Sequence, residues 1–113
     1  MLRTLLIGSV AVLGVAAIHP AFADVRVYIH EEMTDYKAFQ KAFDSFDGTR
    51  TKMGVTRITV YQTADNKNDV TITHDFRTLA KAKAFLALPD LAKSMQSVAK
   101  GPPQIWVTVP GAK

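Results

Sequence analysis

The sequence predicts an α+β domain in which helices cover one sheet. Hydrophobic residues alternate with a period of two in four segments, and they follow the helical period of 3.6 in the segments between them. The resulting order is strand, helix, strand, strand, helix, strand, which is the order of a split βαβ unit. We therefore predict a ferredoxin-like βαββαβ sandwich.

The first half of the domain is predicted as strand, helix, strand. Apolar and polar residues alternate from Val25 to His30, as a strand requires. The helix that follows has a stripe of aromatic residues at helical spacing: Tyr36, Phe39, Phe43 and Phe46. The pair Asp47-Gly48 predicts the end of this helix. Alternation resumes in a second strand from about Val55 to Gln62.

The second half repeats this order after a polar connection. The segment from Ala64 to Asp69 is rich in Asp and Asn, which predicts a hairpin loop. A third strand runs from Val70 to Phe76, and Thr78 is placed to cap the second helix. Pro89 breaks or redirects that helix. A Gly-Pro-Pro sequence ends the helical region before the last strand, from Ile105 to Val109.

The first 23 residues have the features of a cleaved secretory signal. Arg3 provides the positive charge, residues 5–17 are apolar, and Ala21-Phe22-Ala23 matches the small-residue cleavage site. The alternative is an uncleaved membrane anchor, but the apolar run is shorter than the roughly 20 residues that a span requires. We predict a mature domain of residues 24–113 that begins at Asp24, lies in the periplasm or is secreted, and has no membrane segment.

The composition limits how such a small domain is stabilised and what it binds. Of 113 residues, removal of 23 leaves 90, enough for one domain, and the chain contains no cysteine to form a disulfide. Burying a surface against a second copy is a common way to stabilise a small core. The 14 Lys and Arg residues against 10 Asp and Glu do not form a basic, aromatic platform. We expect a homodimer and no nucleic-acid partner.

The alternation predicts that the sheet has two different faces. One face is uniformly aliphatic and should meet the helices: Val27, Ile29, Ile58, Val60, Val70, Ile72, Ile105 and Val107. The other combines aromatic, hydroxyl and few charged residues: Arg26, Tyr28, His30, Thr59, Tyr61, Thr71, Thr73, Asp75, Trp106 and Thr108. Amphipathic residues of this kind suit a partner surface or a partly wet cavity. The alternative is that Thr, Tyr and Trp are simply good strand formers.

Several segments resemble those of a known superfamily. They are Asp35-Tyr36-Lys37-Ala38-Phe39, Ala64-Asp65-Asn66-Lys67-Asn68-Asp69-Val70, Leu79-Ala80-Lys81-Ala82-Lys83-Ala84-Phe85 and Gly101-Pro102-Pro103-Gln104-Ile105. Across residues 25–109 the chain resembles the dimeric α/β-barrel superfamily, particularly small bacterial cyclase-like proteins related to antibiotic-biosynthesis monooxygenases. The split βαβ topology predicts strand order 4-1-3-2, and the resemblance implies a homodimer with sheets packed face to face and a pocket between each sheet and its covering elements. Members include cofactor-free oxygenases, haem-handling enzymes, isomerases and proteins without known activity; a signal peptide is unusual among them.

The candidate catalytic residues are His30 and Asp75, near the carboxyl ends of the first and third strands. We expect these strands to be parallel neighbours, which would bring the two side chains together on one face. A carboxylate beside an imidazole orients it and raises its pKa, as a general base requires. The alternative is an ordinary histidine at the sheet rim. The candidate ligand-binding residues on the same face are Tyr28, Tyr61, Thr73 and Trp106.

No metal or cofactor is predicted, although two histidines keep the question open. His74 alternates with apolar residues, so we interpret it as a core histidine with its hydrogen bonds satisfied. His30, His74 and Glu31 or Glu32 could together supply metal ligands, and a haem iron would need one axial histidine. The two histidines, however, belong to opposite faces. We interpret Glu31-Glu32 as a solvated corner and expect neither metal nor cofactor.

Two functions fit these observations. The first is an exported small-molecule-binding protein or cofactor-independent enzyme that acts on a small aromatic or carbonyl compound in a barrel pocket. The second is a non-catalytic dimerisation, assembly or stress-related module whose aromatic face serves only the partner. Free space beside that face would distinguish them, and the substrate is not encoded in any motif of the chain.

Overall fold

A computed structural model describes residues 24–112 of the chain. The predicted signal segment, residues 1–23, lies outside the described residues. The elements, in chain order, are β1 (Val25–Glu32), α1 (Tyr36–Asp44), α2 (Asp47–Lys52), β2 (Val55–Thr63), β3 (Asn66–Phe76), α3 (Leu79–Leu86), α4 (Pro89–Val98) and β4 (Gln104–Thr108). The predicted βαββαβ order is confirmed, with each predicted helical region divided into two helices.

The four strands form one sheet in the order β2-β3-β1-β4, which is the predicted order counted from the other edge. All neighbouring pairs are antiparallel, including β1 with β3. The expectation of parallel β1 and β3 is therefore wrong. The helical crossover returns the chain so that β2 runs in the direction of β1, and the following hairpin reverses β3. This reversal decides which side chains meet across the sheet.

Two local boundaries differ from the sequence prediction. Asp47 begins α2 rather than ending a helix, and it pairs with Arg50 one turn later. The hairpin is shorter than expected, because β3 begins at Asn66 and leaves a two-residue turn. Asp69 is tolerated in the strand because Thr63 donates a hydrogen bond to its carboxylate over 2.7 Å. Pairing of Asp69 with Glu32 of β1 also overrides the turn-forming tendency of this residue.

The core lies between the sheet and the helices. The strand register puts the whole predicted aliphatic set on the helix side. The set is fully buried on the central strands, where Val27 and Val70 have no exposed surface. On the edge strands Ile58, Ile105 and Val107 remain partly exposed, because the helices do not extend over the rims. Within residues 24–112, no helix is long and apolar enough to cross a membrane.

Candidate functional site

The face of the sheet away from the helices, which we call the open face, carries every residue predicted there. The register aligns these residues in rows across the strands: Thr59–Thr73–Tyr28–Trp106 and Tyr61–Thr71–His30–Gln104. Tyr61 is 56% exposed and Trp106 is 52% exposed. Thr73, in the centre of the sheet, is buried. The predicted ligand-binding residues therefore share one surface, which the described part of the chain leaves uncovered.

The structure does not bring His30 and Asp75 together. His30 lies opposite Thr71, whereas Asp75 lies opposite Arg26, four residues further along the sheet. At about 3.3 Å per strand residue, the two positions are roughly 13 Å apart. The expected His30–Asp75 pair is wrong, because it relied on parallel strands. The carboxyl ends of two antiparallel strands lie at opposite ends of the sheet.

Each of these residues has a different partner. His30 Nε2 lies 2.9 Å from Asp69 Oδ1, and its Nδ1 lies 3.2 Å from Gln104 Oε1. The hydrogen bond with Asp69 raises the pKa of His30 above its usual value, although partial burial opposes this. Asp75 accepts two hydrogen bonds from Arg26, which lower the pKa of its carboxyl group. Both pairs hold side chains in place on the open face.

A cavity lies on the opposite side of the sheet, between it and the helices. It has a volume of about 40 Å³. Its wall is mainly apolar and includes Phe39 and Phe43 of α1 and Phe46, which directly precedes α2. The polar side chains of the wall are Glu31, Arg50, His74 and Ser94. Apolar surroundings with a few polar groups are typical of small-molecule sites.

Glu31 places a carboxyl group in this wall without a partner. The residue is 5% exposed, and neither carboxyl oxygen has a hydrogen-bond partner among residues 24–112. Burial raises the pKa of Glu31 to about 7, because an ionised carboxylate is poorly stabilised away from water. A carboxyl group with this pKa can accept or release a proton near neutral pH.

His74 and Arg50 form the second polar part of the wall. His74 is 2% exposed, and both its ring nitrogens lack partners in the described chain. Burial and, to a smaller extent, the positive charge of Arg50 lower the pKa of His74 to about 4, so the ring is neutral at pH 7. The rings of Phe43 and Phe85 lie 6.3 and 5.1 Å from it, centroid to centroid. The predicted burial of His74 is confirmed. The expectation that its ring nitrogens are hydrogen-bonded is wrong for the described residues.

Arg50 is a buried cation with a buried donor that lacks a partner in the described residues. It is 3% exposed, and its guanidinium carbon lies 3.7 Å from the centroid of the Phe43 ring. Its Nη2 donates to the Phe43 carbonyl oxygen and, over 2.9 Å, to Asp47 Oδ1. Its Nε is buried and has no partner in residues 24–112. A buried N–H without an acceptor is unfavourable, so this atom is suited to a ligand oxygen or a water molecule.

The two polar parts of the cavity wall lie at different positions along the strands of the sheet. Glu31 of β1 lies opposite Val70 of β3, and His74 lies four residues further along β3, opposite Val27. Ile29 and Ile72 occupy the row between them and also line the cavity. A molecule inside would therefore contact an apolar middle and a polar group at either end.

Comparison with solved structures identifies the same architecture in other proteins. SnoaB, a cofactor-independent oxygenase from Streptomyces nogalater, superposes with a TM-score of 0.68 at 12% identity, over 80% of this chain and 96% of its own. A conserved protein from Methanosarcina mazei gives 0.68 at 12% identity, over 81% and 97%. A candidate antibiotic biosynthesis monooxygenase from Nitrosomonas europaea gives 0.64 at 12% identity, over 78% and 90%. The chain has the ferredoxin-like fold of the antibiotic biosynthesis monooxygenases.

No family model and no curated protein matches the sequence. At these levels of identity, the likeness to the monooxygenase fold concerns architecture alone. Among residues 24–112, no group of three His, Cys, Asp or Glu side chains is arranged as metal ligands.

Of the polar cavity residues of this ferredoxin-like domain, Glu31 has a local sequence signal that indicates its burial. Glu31 is not at a solvated corner, because β1 continues to Glu32 and the buried alternation of Val25, Val27 and Ile29 continues into Glu31. Glu32 does lie outside, paired with Lys100 over 3.3 Å. No local sequence pattern indicates that Arg50 is buried, since its burial follows from the position of α2.

Proposed function

We propose that this protein binds a small aromatic or carbonyl compound in the cavity between sheet and helices, and acts on it as a cofactor-independent enzyme. One observation carries the proposal: Glu31, Arg50 and His74 are buried around a single apolar cavity with polar atoms that lack partners. Each buried unpaired polar group costs about 1–3 kcal/mol. A ligand with matching polar atoms would recover this free energy.

The cavity must open to receive such a ligand. Its 40 Å³ has room for a few water molecules only. A second groove of about 160 Å³ lies between α3, α4 and β4, and Leu91 and Met95 of α4 line both spaces. Methionine side chains are flexible and adapt to irregular volumes. Displacement of Met95 would join the two spaces, which gives the ligand a path from the surface.

The chemistry that Glu31 supports is proton transfer. A carboxylate at this position could remove a proton from a carbon next to a ligand carbonyl group, and become the neutral carboxylic acid that burial favours. The electron pair of the broken C–H bond would move to the carbonyl oxygen and form an enolate. This step needs no redox partner, because the proton is only moved.

Proton exchange of a model ketone tests this proposal. Acetophenone in D₂O exchanges its methyl protons only through the enolate, and proton NMR follows the loss of their signal. We expect the mature protein to accelerate the exchange, and Glu31→Gln to abolish the acceleration while acetophenone still shows saturation transfer from the protein. Glu32→Gln is the matched control, because that carboxylate lies outside the cavity. Equal exchange rates for wild type and Glu31→Gln would contradict the role of Glu31.

The open face supports the second function, that of a dimerisation module. Tyr61 and Trp106 expose more than half of their surface on a sheet face that also carries Tyr28. We propose that this face packs against the same face of a second copy, so that binding and dimerisation use opposite sides of one sheet. A dimer that binds no small molecule would leave assembly as the function.

Export from the cytoplasm is also a proposal. Residues 1–23 have a charged start, an apolar stretch and a small-residue cleavage site. Expression of the full chain in a bacterial host, followed by fractionation and mass determination, should give a periplasmic protein that begins at Asp24. Recovery of the uncleaved chain in the membrane fraction would instead indicate an anchor.

A further inference from the structure

We propose that the cavity selects a small aromatic acid with a hydroxyl group opposite the carboxylate: Arg50 and His74 receive the carboxylate, and Glu31 receives the hydroxyl group. This inference rests on the proposed small-molecule site and specifies its ligand. It follows from the positions of three buried side chains and from the hydrogen bonds that each can still make.

Arg50 defines the end that takes the carboxylate. Its guanidinium is permanently charged, and its pairing with Asp47 involves a carboxylate whose side chain is 71% exposed and thus well hydrated. Arg50 lines the cavity, and its buried Nε–H has no partner among residues 24–112. Hydrogen bonds between charged groups are the strong ones in proteins, particularly where water is excluded. A ligand anion would complete the pairing of a cation that is nearly buried.

His74 supports the same assignment. It lines the cavity with Arg50 and is neutral, so one of its ring nitrogens carries a hydrogen that it can donate. Neither nitrogen has a partner among the described residues. One carboxylate has two oxygens, which can accept from Arg50 and His74 together.

Glu31 defines the other end. It lies four residues along the sheet from His74, across the apolar row of Ile29 and Ile72. A carboxyl group accepts a hydrogen bond from a ligand hydroxyl in either protonation state. Its raised pKa keeps a substantial neutral fraction at pH 7, which avoids repulsion of a ligand anion. The aromatic body is inferred from Phe39, Phe43 and Phe46 in the wall.

Matched aromatic probes test the carboxylate preference. Benzoate and benzamide have nearly the same shape but differ in charge, and calorimetry gives their affinities for the mature protein. We expect benzoate to bind about tenfold more tightly or better, as a charged hydrogen bond provides. Equal affinities would overturn the inference. If acetophenone still binds in that case, the proposed function stands; if no probe binds, the cavity holds water only and both fail.

Variants locate the two ends. Arg50→Gln should remove the preference for benzoate, whereas Asp47→Asn, which changes the exposed partner of the same guanidinium, should retain it. For the far end, we expect 4-hydroxybenzoate to bind more tightly than benzoate to the wild type but not to Glu31→Phe. Persistence of the benzoate preference in folded Arg50→Gln contradicts the inference. If that variant does not fold, the comparison of benzoate with benzamide on the wild type decides.

Discussion

Arg26 holds Asp75 on the open face by two parallel hydrogen bonds, from Nε to Oδ1 over 2.7 Å and from Nη2 to Oδ2 over 2.8 Å. The two partners differ in exposure, since the Arg26 side chain is 39% exposed and the Asp75 side chain only 3%. Loss of the arginine would leave a buried carboxylate without its counter-charge, whereas loss of the carboxylate would leave an arginine that water can reach.

The Arg26–Asp75 pair therefore predicts unequal effects of substitution. We expect Arg26→Met to lower the free energy of unfolding by about 3 kcal/mol, and Asp75→Asn by about 1–2 kcal/mol. Denaturant unfolding at pH 7 measures both, with Arg77→Met as a control at an exposed arginine. Because Arg26 lowers the pKa of Asp75, the contribution of the pair is present above the usual aspartate range and is lost as the pH falls through the folded-state pKa. Equal losses in the two variants would contradict this account.

The buried cavity residues predict two opposite pH effects on stability. Glu31 has a pKa of about 7 when folded and 4.5 when unfolded, so the folded state binds more protons and stability falls as the pH rises between these values. His74 has a pKa of about 4 when folded and 6.5 when unfolded, so stability rises with pH over that interval. Each effect is worth about 3 kcal/mol, and the two largely cancel between pH 4.5 and 6.5.

Replacing either Glu31 or His74 should make the pH dependence of stability due to the other residue measurable. In Glu31→Gln, stability should rise from about pH 4 to 6.5, because the effect of His74 remains without the opposing effect of Glu31. In His74→Phe, stability should fall from about pH 4.5 to 7, because the glutamate effect alone remains. Denaturant midpoints across this pH range measure both curves. Parallel profiles for the two variants would show that these groups do not titrate as their burial implies.

His30 predicts a third pH effect, on the open face. Its pKa is raised mainly by the hydrogen bond to Asp69, so its stabilisation is complete below the unfolded-state value of 6.5 and is lost as the pH rises through the higher folded-state value. His30→Ala should therefore reduce stability more at pH 6 than at pH 9. Since His30 lies away from the cavity, binding of acetophenone should persist in this variant. Loss of acetophenone binding with unchanged folding would instead indicate a ligand site at His30 on the open face.

The open face predicts self-association through Trp106. Trp106→Lys places a charge on a face that we propose is buried against a second copy, so sedimentation equilibrium should change from dimer to monomer. Leu79→Lys is the matched control, because Leu79 is also a largely exposed apolar residue, at 40%, but lies on α3. A monomeric wild type at micromolar concentration would contradict the dimer.

On the open face, strand alternation predicts which side of the sheet a residue lies on but not which residue it pairs with. Parity correctly assigned Tyr28, Thr73 and Trp106 to one surface, because side chains alternate strictly along every strand. It did not predict which residues pair, since pairing depends on strand direction and register. His30 thus met Asp69 instead of Asp75.

The sequence by itself determined the order of elements, the two faces of the sheet and the residues of the aliphatic core, because local periodicity and turn chemistry encode them. Only the tertiary structure decided that Glu31, Arg50 and His74 line one cavity. Their location around the same cavity depends on the antiparallel pairing of β1 with β3 and on the position of α2, which no local pattern specifies. Their missing partners are likewise a property of packing, since whether a buried polar atom is paired depends on every element around it.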